Sequence, residues 1–330
     1  MSKPTNRIVA LLSYGYRPLA VFLMFLLLSL DLQAMPRCLW ISSYHPGYEW
    51  QDGIGQGIHS VLDGKCEIKT FHMQTKNNQD PEYIALQIEK ARKIITDYRP
   101  SVVLVSDDNV SEYLVAPYYK NSSIPFVFCG INWSARSYGY PFENTTGILE
   151  VAPVTPMMRA VNEIIPTSQG RVFFLAANTN TAHKNAKYLK RHFAYNGYHM
   201  DVEYVANSQE WKAAFLRAQK YELILLLNNS GIAEWDNEEI RRFVTANNTR
   251  LTISFNRWMA PYSMLVFTKI AQEQGQWAAK MALEIMKGDD VSTIPIISNQ
   301  TWNEYINISL FRAAQIQPSQ SLIENAVSIK

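Results

Sequence analysis

Residues 40–58, WISSYHPGYEWQDGIGQGI, run from an apolar strand end through an aromatic loop carrying one histidine and then into a helix. In open α/β sheets, ligands sit in the crevice just outside the carboxyl ends of the strands, which is where this order places the loop. Ser42, Ser43, Tyr44, His45 and Trp50 offer hydrogen-bonding and stacking groups there. The helix repeats its apolar residues at Ile54, Ile58, Val61 and Leu62, a helical period that anchors one face on a core. The loop is therefore held between two packed elements, with side chains free to face a solute.

Outward from this stretch, strands and helices alternate. Residues 65–73 read as a second strand, and Asp80-Pro81 supplies an N-cap and first-turn proline for a helix that stops before Pro100. Residues 102–105 are continuously apolar, as in a strand covered on both faces, and end in Ser106-Asp107-Asp108-Asn109. Residues 125–129 end likewise in Gly130-Ile131-Asn132-Trp133, and residues 147–151 close a first set at Glu150. The pattern then restarts. Strands at 172–176, 201–205, 223–227 and 251–255 alternate with helices, and their polar ends carry Asn178, Asn229 and Asn256-Arg257-Trp258. Two such runs predict two flavodoxin- or Rossmann-like parallel-sheet α/β lobes. The tail, 264–330, is too small for a third domain and is expected to cross between the lobes as a multi-strand hinge. The expected division is residues 35–152 with about 267–294 in lobe 1, and 153–266 with about 295–330 in lobe 2.

A chain of 330 residues suits two cores. Lys3, Arg7 and Arg17 precede an apolar run, 19–30, that ends near Leu32-Gln33-Ala34, the order of a secretory signal. Cleavage after Ala34 removes three basic residues and one acid, so the formal charge of +2 falls to about 0. A neutral body gives no electrostatic reason to hold nucleic acid. The alternative, a retained anchor, has an apolar core shorter than the ~20 residues a spanning helix needs. Arg37 beside Cys38 does not fit a lipid-attachment signal. The expected location is the periplasm. Of Cys38, Cys66 and Cys129, the first two start neighbouring strands and could pair; the other reading is three reduced, buried thiols.

The glycines at 53, 55 and 57 alternate inside the helix and lack the spacing of a dinucleotide fingerprint, so close helix packing explains them better. The six histidines lack metal spacing, and only His45 sits in a strand-end loop, as a cap or a ligand contact. Neighbouring Asp107 and Asp108 point different ways, which suits one binding a cationic amine and the other capping a helix. Trp50, Trp133 and Trp258 either wall a pocket or pack in cores, and Arg257 is either a carboxylate clamp or a solvated surface residue. No activated nucleophile or metal set is visible, so a periplasmic hydrolase on an α/β scaffold is a remote alternative; neither an enzyme nor a cofactor is expected.

Ser43-Tyr44-His45-Pro46-Gly47-Tyr48 with Trp50, Thr75-Lys76-Asn77-Asn78 leading to Asp80-Pro81-Glu82-Tyr83, residues 103–109 and 126–132, and Thr146-Gly147-Ile148-Leu149-Glu150 together resemble the ABC-transporter substrate-binding family. This is the branch of type 1 periplasmic binding proteins that includes aromatic amino acid binders. Residues 269–279, Ile294-Pro295 and Tyr305-Ile306-Asn307 extend the likeness over nearly the whole chain beyond the signal. The resemblance implies two lobes joined by three crossovers that close on a small organic solute, an amino acid or aromatic compound, and deliver it to a membrane permease. It implies contacts from Ser43, Tyr44, His45, Asp107, Asp108 and Asn132 in the first lobe, and from Asn178, Asn229 and residues 256–258 in the second. Ala260-Pro261-Tyr262-Ser263-Met264 stands where amino acid binders often have a glycine-rich turn, which argues for a bulkier pocket floor. The same domain also serves as a sensor beside membrane histidine kinases and cyclic-dinucleotide enzymes, the alternative partner.

Overall fold

In the computed structural model, residues 35–76, 78–166 and 170–329 are described. The expected export segment, 1–34, and Asn77 lie outside them. The alternation expected from sequence takes the form β1 (Arg37–Ser42), α1 (Glu49–Leu62), β2 (Glu67–His72), α2 (Pro81–Tyr98) and β3 (Val102–Ser106). Short helical turns at Asp108–Val110, Ser111–Val115 and Ala116–Tyr118 follow, then β4 (Phe126–Asn132), β5 (Thr145–Glu150) and α3 (Val154–Ile164). The second set is β6 (Arg171–Ala177), α4 (Asn180–Tyr195), β7 (His199–Val205), α5 (Ser208–Ala218), β8 (Leu223–Leu226), α6 (Asn237–Asn247) and β9 (Leu251–Ser254). The tail supplies β10 (Leu265–Lys269), α7 (Ala271–Lys287), β11 (Ile297–Ser298), β12 (Trp302–Ile306), α8 (Ile308–Ala313), α9 (Gln320–Asn325) and β13 (Val327–Ser328).

Two sheets result, ordered β11-β5-β4-β3-β1-β2 and β13-β12-β10-β9-β8-β6-β7. Every pairing is parallel except β10 with β12. Both switch points therefore gather polar strand ends on one edge of each sheet. In the first sheet the pleat sends Leu39, Ile41, Val103 and Val105 to one core with α2, and Cys38, Trp40, Val102 and Leu104 to another with α1 and α7. Covered on both sides, β1 and β3 bury nearly every residue, which explains why they read as unbroken apolar runs.

The chain crosses between the sheets three times: after β5, after β10 and after β11. The tail departs from the division expected from sequence. β10 stays in the second sheet through Lys269, and Ile297 and Ser298 pair with Ile148 and Leu149 of the first, so the last crossing follows Ser298. A two-residue strand carries too little periodicity to be read from sequence. The sequence reading of 264–330 also missed β10 itself.

Glycine lets α7 sit against α1 with backbones touching. A Cβ at Gly57 would lie 2.3 Å from the Gln272 carbonyl oxygen, and one at Gly275 only 2.0 Å from that of Ile54. Gly55 instead makes room for the Trp40 ring. The alternating glycines thus serve helix and sheet packing, as expected.

Cys38 and Cys66 form a disulfide with Cα atoms 6.0 Å apart, joining the starts of β1 and β2, while Cys129 is buried and free. The loop it closes spans 28 residues, for which restriction of the unfolded chain amounts to ~3–4 kcal/mol. Replacing both cysteines with serine should lower the denaturant-unfolding free energy by about that much; an unchanged midpoint would show that the bond does not form in the protein in solution.

Candidate functional site

At the polar edge of the first sheet, the ends of β1, β3, β4 and β5 bring together Tyr44, Trp50, Asp107, Asp108, Asn132, Trp133 and Glu150. Asp107 leaves β3 with a left-handed φ of 77°. Its amide donates to the Cys129 carbonyl oxygen, and its carboxylate caps the Asp108 amide and pairs with Lys76 Nζ at 2.8 Å. Asp108 turns the other way. It accepts from Tyr138 Oη at 2.7 Å, Asn132 Nδ2 at 3.2 Å and Lys184 Nζ at 3.1 Å, the last from α4 on the second lobe. Glu150 and Lys269, at the ends of β5 and β10, form a third ion pair, again between lobes. The Lys269 ammonium also lies 5.4 Å from the Trp50 ring centroid.

Burial and charge set the proton affinities. Burial pushes Asp107 up to about 6; the Lys76 charge opposes this, and the Asp108 charge adds to it. For Asp108 the burial effect is outweighed by Lys184, the Tyr138 hydrogen bond, Lys76 and Asn132, which hold it below its usual range. For Lys76 burial is overcome by Asp107, and its affinity for a proton rises. Tyr44 and Tyr138 are raised chiefly by burial and then by the neighbouring aspartates, so both stay neutral phenols. Three carboxylates are thus each paired with a lysine, and the ion pairs of the wall balance one another in charge.

Aromatic groups complete it. Tyr44 stacks on Tyr48 at 4.2 Å with Lys76 Nζ 5.7 Å from its ring, and the Trp50 indole nitrogen is buried without a partner. Trp133, at φ 62°, stacks on Tyr188 of α4 at 5.3 Å and donates to Asn185 Oδ1 at 2.7 Å.

Other residues singled out from sequence stand differently. Ser43 is fully buried, its hydroxyl donating to the Ser106 carbonyl and accepting from the Val110 amide. It shapes the loop from within. His45 makes a ring contact with the Pro46 carbonyl oxygen and lies 6.3 Å from Tyr48. On the second lobe, Asn178 binds His183 of α4, Arg257 lies 4.4 Å over Tyr305, and half-exposed Trp258 donates to Asn228 Oδ1. Asn229 and Trp258 line a recess of about 470 Å³ with Asn237, Arg241 and Tyr262, built entirely from second-lobe residues. The two halves meet through the Glu150–Lys269 pair and through α4, which the sequence reading did not place in the site. It missed Lys76, Lys184, Lys269, Tyr138 and Tyr188 as well; Lys269 closing an apolar strand and Lys76 after a strand end were the available signals. Among the described residues no group of three or more His, Cys, Asp or Glu could hold a metal ion, and no helix is long and apolar enough to cross a membrane.

Residues 44–330 match the family model described as ABC transporter substrate binding protein. No curated protein matches significantly. Among solved structures, a conserved domain protein from Vibrio cholerae is similar at 17% identity, covering 90% of this chain and 100% of that one, with a TM-score of 0.61. The ligand-free, open form of CD0873, a substrate-binding protein with adhesive properties from Clostridium difficile, aligns at 13% identity over 89% of this chain and 99% of that one, TM-score 0.69. An ABC domain in complex with L-Trp from Streptococcus pneumonia aligns at 14% identity over 89% and 100%, TM-score 0.58. At these identities the structural likeness speaks for the two-lobe fold alone.

Because Asp107 binds its proton more tightly folded than at its ordinary value of 3.8, the stability it contributes is full below that value and is lost as pH rises through about 6. The unfolding free energy of the native protein minus that of Asp107→Asn should therefore fall by on the order of 2–3 kcal/mol between about pH 4 and pH 7, then level off. A difference that rises across this window would contradict control by burial.

Proposed function

The chain belongs to the ABC transporter substrate-binding protein family, a family of solute binders, and on that premise we propose that it is exported to the periplasm, closes its lobes around a small organic solute and presents the closed form to an ABC permease. The observation that carries this reading is the gathering of Tyr44, Trp50, Asp107, Asp108 and Trp133 on one strand-end edge that faces α4 of the other lobe. Ser43 and His45 shape the first half of the site together with Asn132. Asn178, Asn229, Arg257 and Trp258 contribute the second.

Closure follows from differential affinity: a solute bridging both edges binds only the closed form and shifts the population toward it. Electroneutrality of the wall favours solutes of low net charge with a planar portion that the tyrosines and tryptophans can cover. An amino acid or other aromatic compound meets that description. We read the chain as a binder and not as an enzyme, since Asp107 is committed to Lys76 and the Asp108 amide, and Asp108 to Lys184, Tyr138 and Asn132, and neither is poised over a nucleophile.

A thermal-shift screen of amino acids, purines and small organic acids tests the reading. One compound should stabilise the protein saturably, by about 2.7 kcal/mol at a hundred times its Kd. The shift should vanish when Asp107, Asp108 and Trp258 are all changed to alanine; a shift that survives this triple substitution removes these residues from the site.

A further inference from the structure

Beside the Glu150–Lys269 pair, three side-chain contacts that join the two polar edges come from one stretch of α4. Lys184 reaches Asp108, Asn185 accepts from the Trp133 indole, and Tyr188 stacks on the same ring in a nearly parallel arrangement, 5° between planes. Residues 184 and 188 are one helical turn apart and share a face, so the helix presents a small, preassembled surface to the first lobe. The receiving side is equally fixed. Trp133 holds a left-handed backbone, rarely adopted by so bulky a residue, and its amide donates to the Glu150 carbonyl oxygen at 3.0 Å. Asp108 is oriented by Tyr138 and Asn132 from its own lobe.

We propose that Lys184, Asn185 and Tyr188 form a clasp that holds the lobes together without solute, with the Lys184 ammonium occupying at Asp108 the position that a cationic group of a solute would take. A solute bearing an ammonium group must displace Lys184 to reach Asp108, whereas one without it can enter with the clasp intact. Lys184 is then a specificity-determining residue. Its side chain is partly exposed, 30%, against 12% for Asp108, so the lysine is the partner free to swing away.

The test needs no solute. Small-angle scattering and tryptophan emission are recorded on the dialysed full-length protein, on Lys184→Met, Lys184→Arg and Asn185→Ala, and on Trp133→Phe to isolate the emission of Trp133. The native protein should scatter as the clasped arrangement. Lys184→Met should raise the open-to-closed ratio roughly fivefold, seen as a larger radius of gyration and a red-shifted Trp133 component. Lys184→Arg should restore the native profile, and Asn185→Ala should shift the Trp133 emission even if Lys184→Met is poorly folded. A native protein that already scatters as separated lobes, or a folded Lys184→Met variant with unchanged radius and emission, overturns the proposal. Neither outcome bears on whether a solute binds.

Discussion

Glu150 and Lys269 form the ion pair on which the arrangement of the two lobes depends. Each ends a strand, one in each sheet, and each stands immediately before a crossing segment. Pairing them ties the first crossing to the second. The third is tied to the same point by Asn299, whose side chain accepts from the Val151 amide at 2.7 Å and whose own amide donates to the Leu149 carbonyl at 3.2 Å. Beyond the second crossing, the contact of Gly57 and Gly275 with facing backbone seats α7 on the first lobe and leaves it no room to slide. The lobes therefore keep their polar edges turned toward each other, and the crossings are where a hinge of the proposed kind would lie.

The same economy of charge runs through the site. A carboxylate withdrawn from water is destabilised by several kcal/mol unless a cation and hydrogen bonds meet it. Asp107, Asp108 and Glu150 each have a lysine, and two of those three pairs reach across lobes. Contacts from the second lobe thus neutralise Asp108 and Glu150, while Asp107 is met by Lys76 of its own lobe. The ion pairs let the wall stay buried without a charged solute, and on the proposed reading selectivity would rest on shape, stacking and the competition for Asp108.

The fold was legible because β1, β3, β6 and β8 are unbroken apolar runs buried on both faces, a pattern that parallel sheets impose and that survives in sequence. The loops were legible because they follow those runs. What sequence could not show were long-range partners. Lys184 sits in a helix among other lysines, and nothing local marks it as the residue that meets Asp108 from the other lobe. Ser43 looked like a ligand contact because a serine in a polar loop reads the same whether it faces solvent or closes the turn beneath it. β11, two residues long, had no period to detect.

Hydrogen exchange, measured with and without the compound that stabilises the protein, tests most directly whether a single solute is gripped by both edges. The account predicts that the solute slows exchange together in residues 43–50 and 106–109 of the first lobe and in residues 178–186 and 228–231 of the second. Protection confined to one lobe, with the facing loops of the other unchanged, would contradict it.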